Sequence, residues 1–540
     1  MRNWSVFTIA GAAVTLLAYQ NCSNPKFQIA QKTDSSSLGE PPPVCREMTA
    51  DEVKPQLLYS WNYVADKEPD YKQVMAAPVV GDLDGDKIPE IVFTSFKDHL
   101  YSSKGMLRVI DGATGMSKFS ITEDDLLPFG STTPVIVDID RDGKGEIVYL
   151  HYLGKKVIAL NYDGSVRWQQ AIDTTGMAFA ALSDCRMGLS AADLDGDGTA
   201  EIIAGAWIIS ENASKVPAVK VRIAENINAC RTFAADLSET EGLRIVGGTS
   251  VMDKNGKTLW SYIRSGFPAT ADLLPEVPGA EVVVTGGGYL TIYNGMTGAT
   301  LYDRKLSEHA ELICRYDAAN NPLVGGGQAT IGDFDGDPST LEIAVATGKS
   351  LTIFDNRGNK IAGSSTTDCS SLVTGITSFD FNGDGKPEII YADEQYVRIY
   401  EMDGSRNLKA IWQTINPTGT LYEYPVVADV NGDGYAELVV VANNYTVNSL
   451  YKTDEEKAAA GVITGLRVYG PNKVGSWMPT RAVWNQHSYV TSNVNDDLTA
   501  TSTTLVNGML SKFFKRNTQK GLFQATCVPV SSPTGTSTGN

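Results

Sequence analysis

Short apolar runs bounded by Gly, Asp, Asn or Pro recur along most of this chain, and no long run repeats apolar positions at the helical spacing. Ala77-Pro-Val-Val80 and Glu90-Ile-Val-Phe93 flank a polar loop. Later runs such as Leu290-Thr-Ile-Tyr293, closed by Asn294-Gly295, and Thr258-Leu-Trp260 have the length and composition of strands joined by tight turns. The pattern predicts an all-β chain.

The polar loop between the first two runs of each unit is the recurring phrase. It reads Asp82, Asp84, Asp86 and Glu90 in its first copy, then Asp138, Asp140, Asp142 and Glu146, then Asp193, Asp195, Asp197 and Glu201. A later copy has Asp333, Asp335 and Asp337, with Glu342 one residue further on. Two more place Asn at the third position: Asp380, Asn382, Asp384, Glu388 and Asp429, Asn431, Asp433, Glu437. Oxygen ligands at loop positions 1, 3, 5 and 9, with Gly at 4 or 6 so that the backbone can curl, form the hard donor set that Ca²⁺ prefers; Asn keeps the ligand while dropping a charge. About six structural Ca²⁺ sites are expected. Two further copies, around Asp236 and Asp272, keep their flanking strands and have lost the middle ligands.

Successive copies lie roughly 50 residues apart, the size of a four-stranded propeller blade. Eight copies predict eight blades, with seven as the alternative if one decayed unit is an insertion. The domain reading is 1-21 signal peptide, 22-54 flexible tether, 55-500 propeller, 501-528 capping segment and 529-540 disordered tail.

Arg2 precedes an apolar run from Val6 to Ala18, too short to span a bilayer and suited to an export signal. Cys22 follows at once, as a lipidated first mature residue would. The expectation is an exported lipoprotein anchored in an outer membrane and facing the surface or the periplasm, with ordinary secretion as the alternative. Tyr19-Gln20-Asn21 depart from the small residues that usually precede such a cysteine. Setting Cys22 aside leaves an even number of the seven cysteines, consistent with disulfides in an oxidising compartment. Position within the repeats favours Cys185 with Cys230, Cys314 with Cys369, and Cys45 with Cys527 across the ends of the ring.

The formal charge of −18 carries no basic footprint for nucleic acid. Much of it is site charge, and six bound Ca²⁺ ions would bring it to about −6. After the last loop, Trp477-Met-Pro-Thr-Arg-Ala-Val-Trp484-Asn-Gln-His-Ser-Tyr489 makes either a ligand platform or a packed closure of the last blade; closure is the favoured reading, with Gln56 to Trp61 as the N-terminal partner of the seal. Asn507 to Lys520 reads as a short capping helix.

These loops in register resemble the FG-GAP/VCBS repeats of the integrin alpha-chain propeller and its bacterial relatives, over roughly residues 55–490. The resemblance implies mainly structural ions on one face and ligand contact on the other. Glu at position 9, where integrins use Asp, and eight copies, where they have seven blades, depart from it. A Gly-x-Ser-x-Gly elbow, a His-Glu-x-x-His pair and a dinucleotide glycine fingerprint are absent from the sequence, and His99, His151, His309 and His487 are widely spaced. The expectation is therefore a non-enzymatic surface recognition or adhesion protein. It would bind a protein or glycan on the face opposite the calcium loops and meet the membrane by its lipid anchor alone. The alternatives are a Ca²⁺-dependent carbohydrate-active enzyme of the polysaccharide lyase kind and a purely structural envelope protein.

Overall fold

A computed structural model describes residues 44–45, 53–174, 188–212, 214–222, 231–238, 241–473, 475–501 and 528–529. The expected export signal, Cys22, Cys185, Cys230, Cys527 and the helix expected at Asn507 to Lys520 fall outside them. The Glu40–Asn540 unit is built from eight four-stranded antiparallel sheets arranged as the blades of a propeller. The first blade is Val79–Gly81, Glu90–Ser95, Met106–Asp111 and Ser117–Ile121, paired in that order. The next six repeat it, their first strands being Val135–Val137, Ser190–Ala192, Phe233–Asp236, Phe267–Ala271, Thr330–Gly332 and Thr377–Phe379. Both decayed copies are therefore full blades, and the seven-blade alternative is set aside.

The eighth blade closes the ring. Its strands Val426–Ala428, Glu437–Ala442 and Gly465–Pro471 come from the end of the repeats, and its outer strand is Pro55–Ser60 from the beginning. The strand expected at Gln56 to Trp61 thus seals the ring as foreseen.

Burial grades outward through each blade. The first strands are buried but for Asp236, whereas outer strands such as Thr300–Lys305 mix exposed and half-buried residues. That order puts the first strands at the axis and the fourth at the rim. In every blade the pairing of third and fourth strands slips by a residue, as between Val109 and Ile110 in the first. A bulge there raises local twist, which a blade needs to turn its rim away from its neighbour. Apolar side chains fill the space between blades: Ile91, Val109, Ile136, Ile147, Val439 and Val468 belong to one buried cluster spanning the first, second and eighth blades.

The aromatic segment after the last strand packs against the last blade, with Trp477 in one buried cluster with Leu438, Val440 and Tyr469 and Trp484 in another with Val439 and Val468. Beyond that closure it runs on along the axis of the ring. The Trp484 and Val80 backbones exchange two hydrogen bonds of 2.8 Å, and the Ile136 N–H donates to the Asn485 carbonyl at 2.9 Å. The Ala191 N–H donates to Gln486 Oε1 at 2.8 Å, and Asn493 Nδ2 donates to the Ala234 carbonyl at 2.8 Å. These partners lie on the first strands of four successive blades. At the far end, Gln328 Nε2 donates to Ser488 Oγ at 3.3 Å and the Tyr424 hydroxyl donates to the His487 carbonyl. Arg481 ties the two legs of this loop together, donating to the Thr491 and Val494 carbonyls at 2.8 and 2.7 Å. Residues 477–500 are an axial plug.

The remaining cysteine pair inside the described ring is formed as expected: Cys314 and Cys369 make a disulfide. It joins the segments that precede the sixth and seventh blades. The backbones of Val44–Cys45 and Val528–Pro529 pair in parallel, which brings the two ends of the propeller chain side by side.

Candidate metal centres

Each loop begins directly after a first strand and ends at the first residue of a second, so strand pairing fixes both of its ends. Asp82 follows Gly81, and Glu90 opens the second strand opposite it, with Gly81 and Glu90 in register. Between them the chain turns back on itself through left-handed positions. Gly85, at position 4, has φ 77°, and Lys87, at position 6, has φ 74°. In the second loop the order is reversed, with Arg141 at 60° and Gly143 at 82°. One of the two places in these loops thus bears a side chain in a conformation that glycine adopts without strain.

The first aspartate organises the turn. Asp193 Oδ1 and Oδ2 accept the N–H groups of Gly196 and Gly198 at 2.7 and 2.8 Å. Asp380 and Asp429 accept the equivalent pairs at 2.7–2.9 Å. These bonds aim the carboxylates inward. One oxygen from each of Asp82, Asp84 and Asp86 lies within 4.8 Å of the others. The same holds for Asp138, Asp140 and Glu146; for Asp193, Asp195 and Asp197; for Asp333, Asp335 and Glu342; and for Asp429, Asp433 and Glu437. The seventh-blade loop, with Asp380, Asn382, Asp384 and Glu388, shares the hydrogen bonds without closing three acidic oxygens to that distance.

Glu at position 9 has a second task that the sequence did not reveal. Its Oε2 accepts the N–H of loop position 2 in every intact copy, from Leu83 to Glu90 at 2.8 Å through Val430 to Glu437 at 3.1 Å. The extra residue before Glu342 does not break this latch, since the Phe334 N–H still reaches it at 2.9 Å. Of the two decayed copies the one at Asp272 keeps it: Glu281 Oε2 accepts from Leu273 and Leu274 at 2.9 and 3.1 Å.

The loops are electrostatically unlike bulk solvent. Burial pushes Glu90 up to about 7, Glu146 to about 8 and Glu437 to about 9. Asp333 rises to about 6 for the same reason, with Asp335 and Asp337 adding repulsion. Cations offset part of the charge. Lys118 Nζ reaches Asp84 and Glu90 at 2.7 and 2.5 Å, and the buried Arg167 guanidinium lies 2.7 Å from Asp140 and 3.1 Å from Glu146. Asp140 Oδ1 nevertheless stays buried without a hydrogen-bond partner. An orphaned carboxylate oxygen among clustered acids fits a hard divalent cation, which would supply the missing contact.

Against this geometry the comparisons are clear on the repeat. The family model for FG-GAP-like repeats matches residues 138–204 and 380–440. These two stretches carry FG-GAP-like repeats. Those two stretches hold the second, third, seventh and eighth metal loops. Among solved structures, the Vibrio cholerae biofilm matrix protein Bap1 is similar at 19% identity and TM-score 0.68, over 88% of this chain and 99% of that one. The exotype rhamnogalacturonan lyase YesX is similar at 16% identity and TM-score 0.50, over 74% of this chain and 72% of that one. At such identities both show the fold alone. No curated protein matches the sequence.

Elsewhere the four histidines are not gathered: His151 and His487 are buried in different places, His309 is half-buried and His99 is exposed. A second acidic group was invisible in the sequence because its members come from three separate segments. Asp368 accepts from the Tyr391 and Thr420 hydroxyls at 2.7 and 2.6 Å, Glu394 from the Ser370 N–H at 2.8 Å, and Glu423 from the Leu421 N–H at 2.7 Å. Burial raises the pKa of all three, Glu423 to about 7. The group sits beside the Cys314–Cys369 disulfide, at the ends of the blades opposite the metal loops.

Proposed function

We propose that this protein is an exported, calcium-binding propeller that recognises a protein or glycan partner in adhesion or envelope contact, without catalysing a reaction. The observation that carries the reading is the axial plug. The axis is where a ring converges side chains from all its blades, and here the chain's own Trp484, Gln486 and His487 occupy it. What remains for a partner is broad surface, suited to macromolecular recognition. Metal ions would hold one face, through Asp82, Asp138, Asp193, Asp333, Asp380, Asp429 and their loop partners, leaving the opposite face for contact. The Cys314–Cys369 disulfide supports export, because such bonds persist in oxidising compartments. Likeness to a biofilm matrix protein along most of the chain agrees with a role outside the cytoplasm. Lipidation at Cys22, with the membrane met through that anchor alone, completes the reading.

The enzyme alternative has one observation in its favour, the buried Asp368, Glu394 and Glu423 group with its raised pKa values. Cell fractionation followed by glycan and protein binding screens with the purified mature protein tests the proposal. Envelope location with saturable binding and no product release is the expected result. A purely cytoplasmic protein defeats it, and turnover of a polysaccharide transfers the case to the enzyme.

A further inference from the structure

The plug and the metal loops share residues. On the entering leg, the Met478 N–H donates to the Phe381 carbonyl at 3.2 Å, the Thr480 N–H to the Gly434 carbonyl at 3.2 Å, and the Asp429 N–H to the Arg481 carbonyl at 3.0 Å. Phe381 is position 2 of the seventh loop; Asp429 and Gly434 are positions 1 and 6 of the eighth. On the leaving leg, the Asp138 N–H donates to the Leu498 carbonyl at 3.0 Å. The fully buried Leu498 side chain is wedged between the first two loops. A Cβ built on Gly145 would lie 2.6 Å from Leu498 and 2.8 Å from Leu83, and one on Gly81 would lie 2.7 Å from Leu498. Only glycine leaves room for it there.

We infer that the ions of the first, second, seventh and eighth loops clamp the axial plug, so that calcium loss releases its legs while the blades stay folded. The inference rests on the calcium reading above and adds a consequence to it. Asp138 and Asp429 each act twice, turning a carboxylate toward the acidic cluster and a backbone N–H toward the plug. In the first, second and eighth loops three acidic oxygens lie within 4.8 Å of one another, and without an ion their repulsion is relieved by spreading the turn. Spreading moves the backbone N–H and carbonyl groups on which the legs hang. The blades have no such dependence, since their strands are held by ladders and interblade apolar contacts. The tip of the plug carries the buried polar residues Asn485, Gln486 and His487, which its release would uncover in the axis.

Hydrogen exchange read by mass spectrometry on the full mature protein decides it. The comparison is calcium-loaded protein, protein in EGTA, and variants at position 5 of a loop. Asp142→Asn and Asp433→Asn alter side chains whose described hydrogen bonds stay within their own loops. Asp337→Asn is the control, because the described hydrogen bonds of the sixth loop stay within it and reach Arg406 of the seventh blade. Calcium withdrawal, or Asp142→Asn with Asp433→Asn at limiting calcium, is expected to speed exchange of residues 482–493 by at least roughly tenfold, with Thr300–Lys305 unchanged. Asp337→Asn is expected to leave the plug protected. Calcium that binds and raises the melting temperature while plug exchange is the same in EGTA overturns the inference alone, as does Asp337→Asn loosening the plug equally. Absence of bound calcium by elemental analysis instead overturns the reading beneath it.

Discussion

Glu281 Oε2 accepts the backbone N–H of Leu273 at 2.9 Å in a loop that has lost its middle metal ligands. In the fifth blade the latch has therefore outlived the ligand set, whereas the fourth blade, whose second strand opens at Leu243, forms its sheet without that glutamate. Glu281→Ala strips the acceptor from two buried N–H groups, those of Leu273 and Leu274. The expected cost is about 1–3 kcal/mol in chemical denaturation, with calcium stoichiometry unchanged. A loss of bound calcium in this variant would show that the fifth-blade loop is still a metal site.

The loops and strands were legible in the sequence because each is local. Asp193 to Glu201 contains its whole turn, and the Glu201-Ile-Ile run that follows pairs back onto Ser190–Ala192 a few residues away. The plug was not legible in this way. Val80, Ile136, Ala191 and Ala234 each supply one contact from a different blade, and only closure of the ring brings them to Trp484–Asn493. Its aromatic residues announced burial without saying against what. The Asp368, Glu394 and Glu423 group was hidden for the same reason, being assembled from separate segments.

That group sets a pH dependence. Burial raises the folded pKa of Glu423 from 4.5 to about 7, so the stability it contributes is full below its unfolded value and is lost as pH rises through about 7. In calcium-saturated protein the melting temperature is expected to fall between about pH 4.5 and pH 7.5 on this account. Glu423→Gln, which stays neutral, should flatten that fall and match or exceed the native protein at pH 8. Asp368 and Glu394, raised in the same direction, keep a residual slope. An unaltered pH profile in the variant would remove Glu423 as a cause.

The cysteines give a covalent test of how the ring is secured. Cys314 and Cys369 are 55 residues apart in sequence, and replacing both with Ser is expected to cost about 2–4 kcal/mol under oxidising conditions. Non-reducing peptide mapping should also recover Cys45 linked to Cys527, as a clasp where Val44–Cys45 pairs with Val528–Pro529. Free thiols at both positions in oxidised protein would leave the seam held by backbone pairing alone.

The account depends most on the acidic loops being calcium sites whose occupancy adds to the stability of the folded protein. Melting of the purified mature protein with calcium and with chelator, alongside elemental analysis, tests it directly. At a hundredfold excess over the dissociation constant each occupied site adds about 2.7 kcal/mol, so the melting temperature should climb with calcium. Asp195→Ala in the intact third loop should cost more of that gain than Asp272→Ala in the decayed fifth. A melting temperature unmoved by chelator, in protein that holds no calcium, would contradict the account.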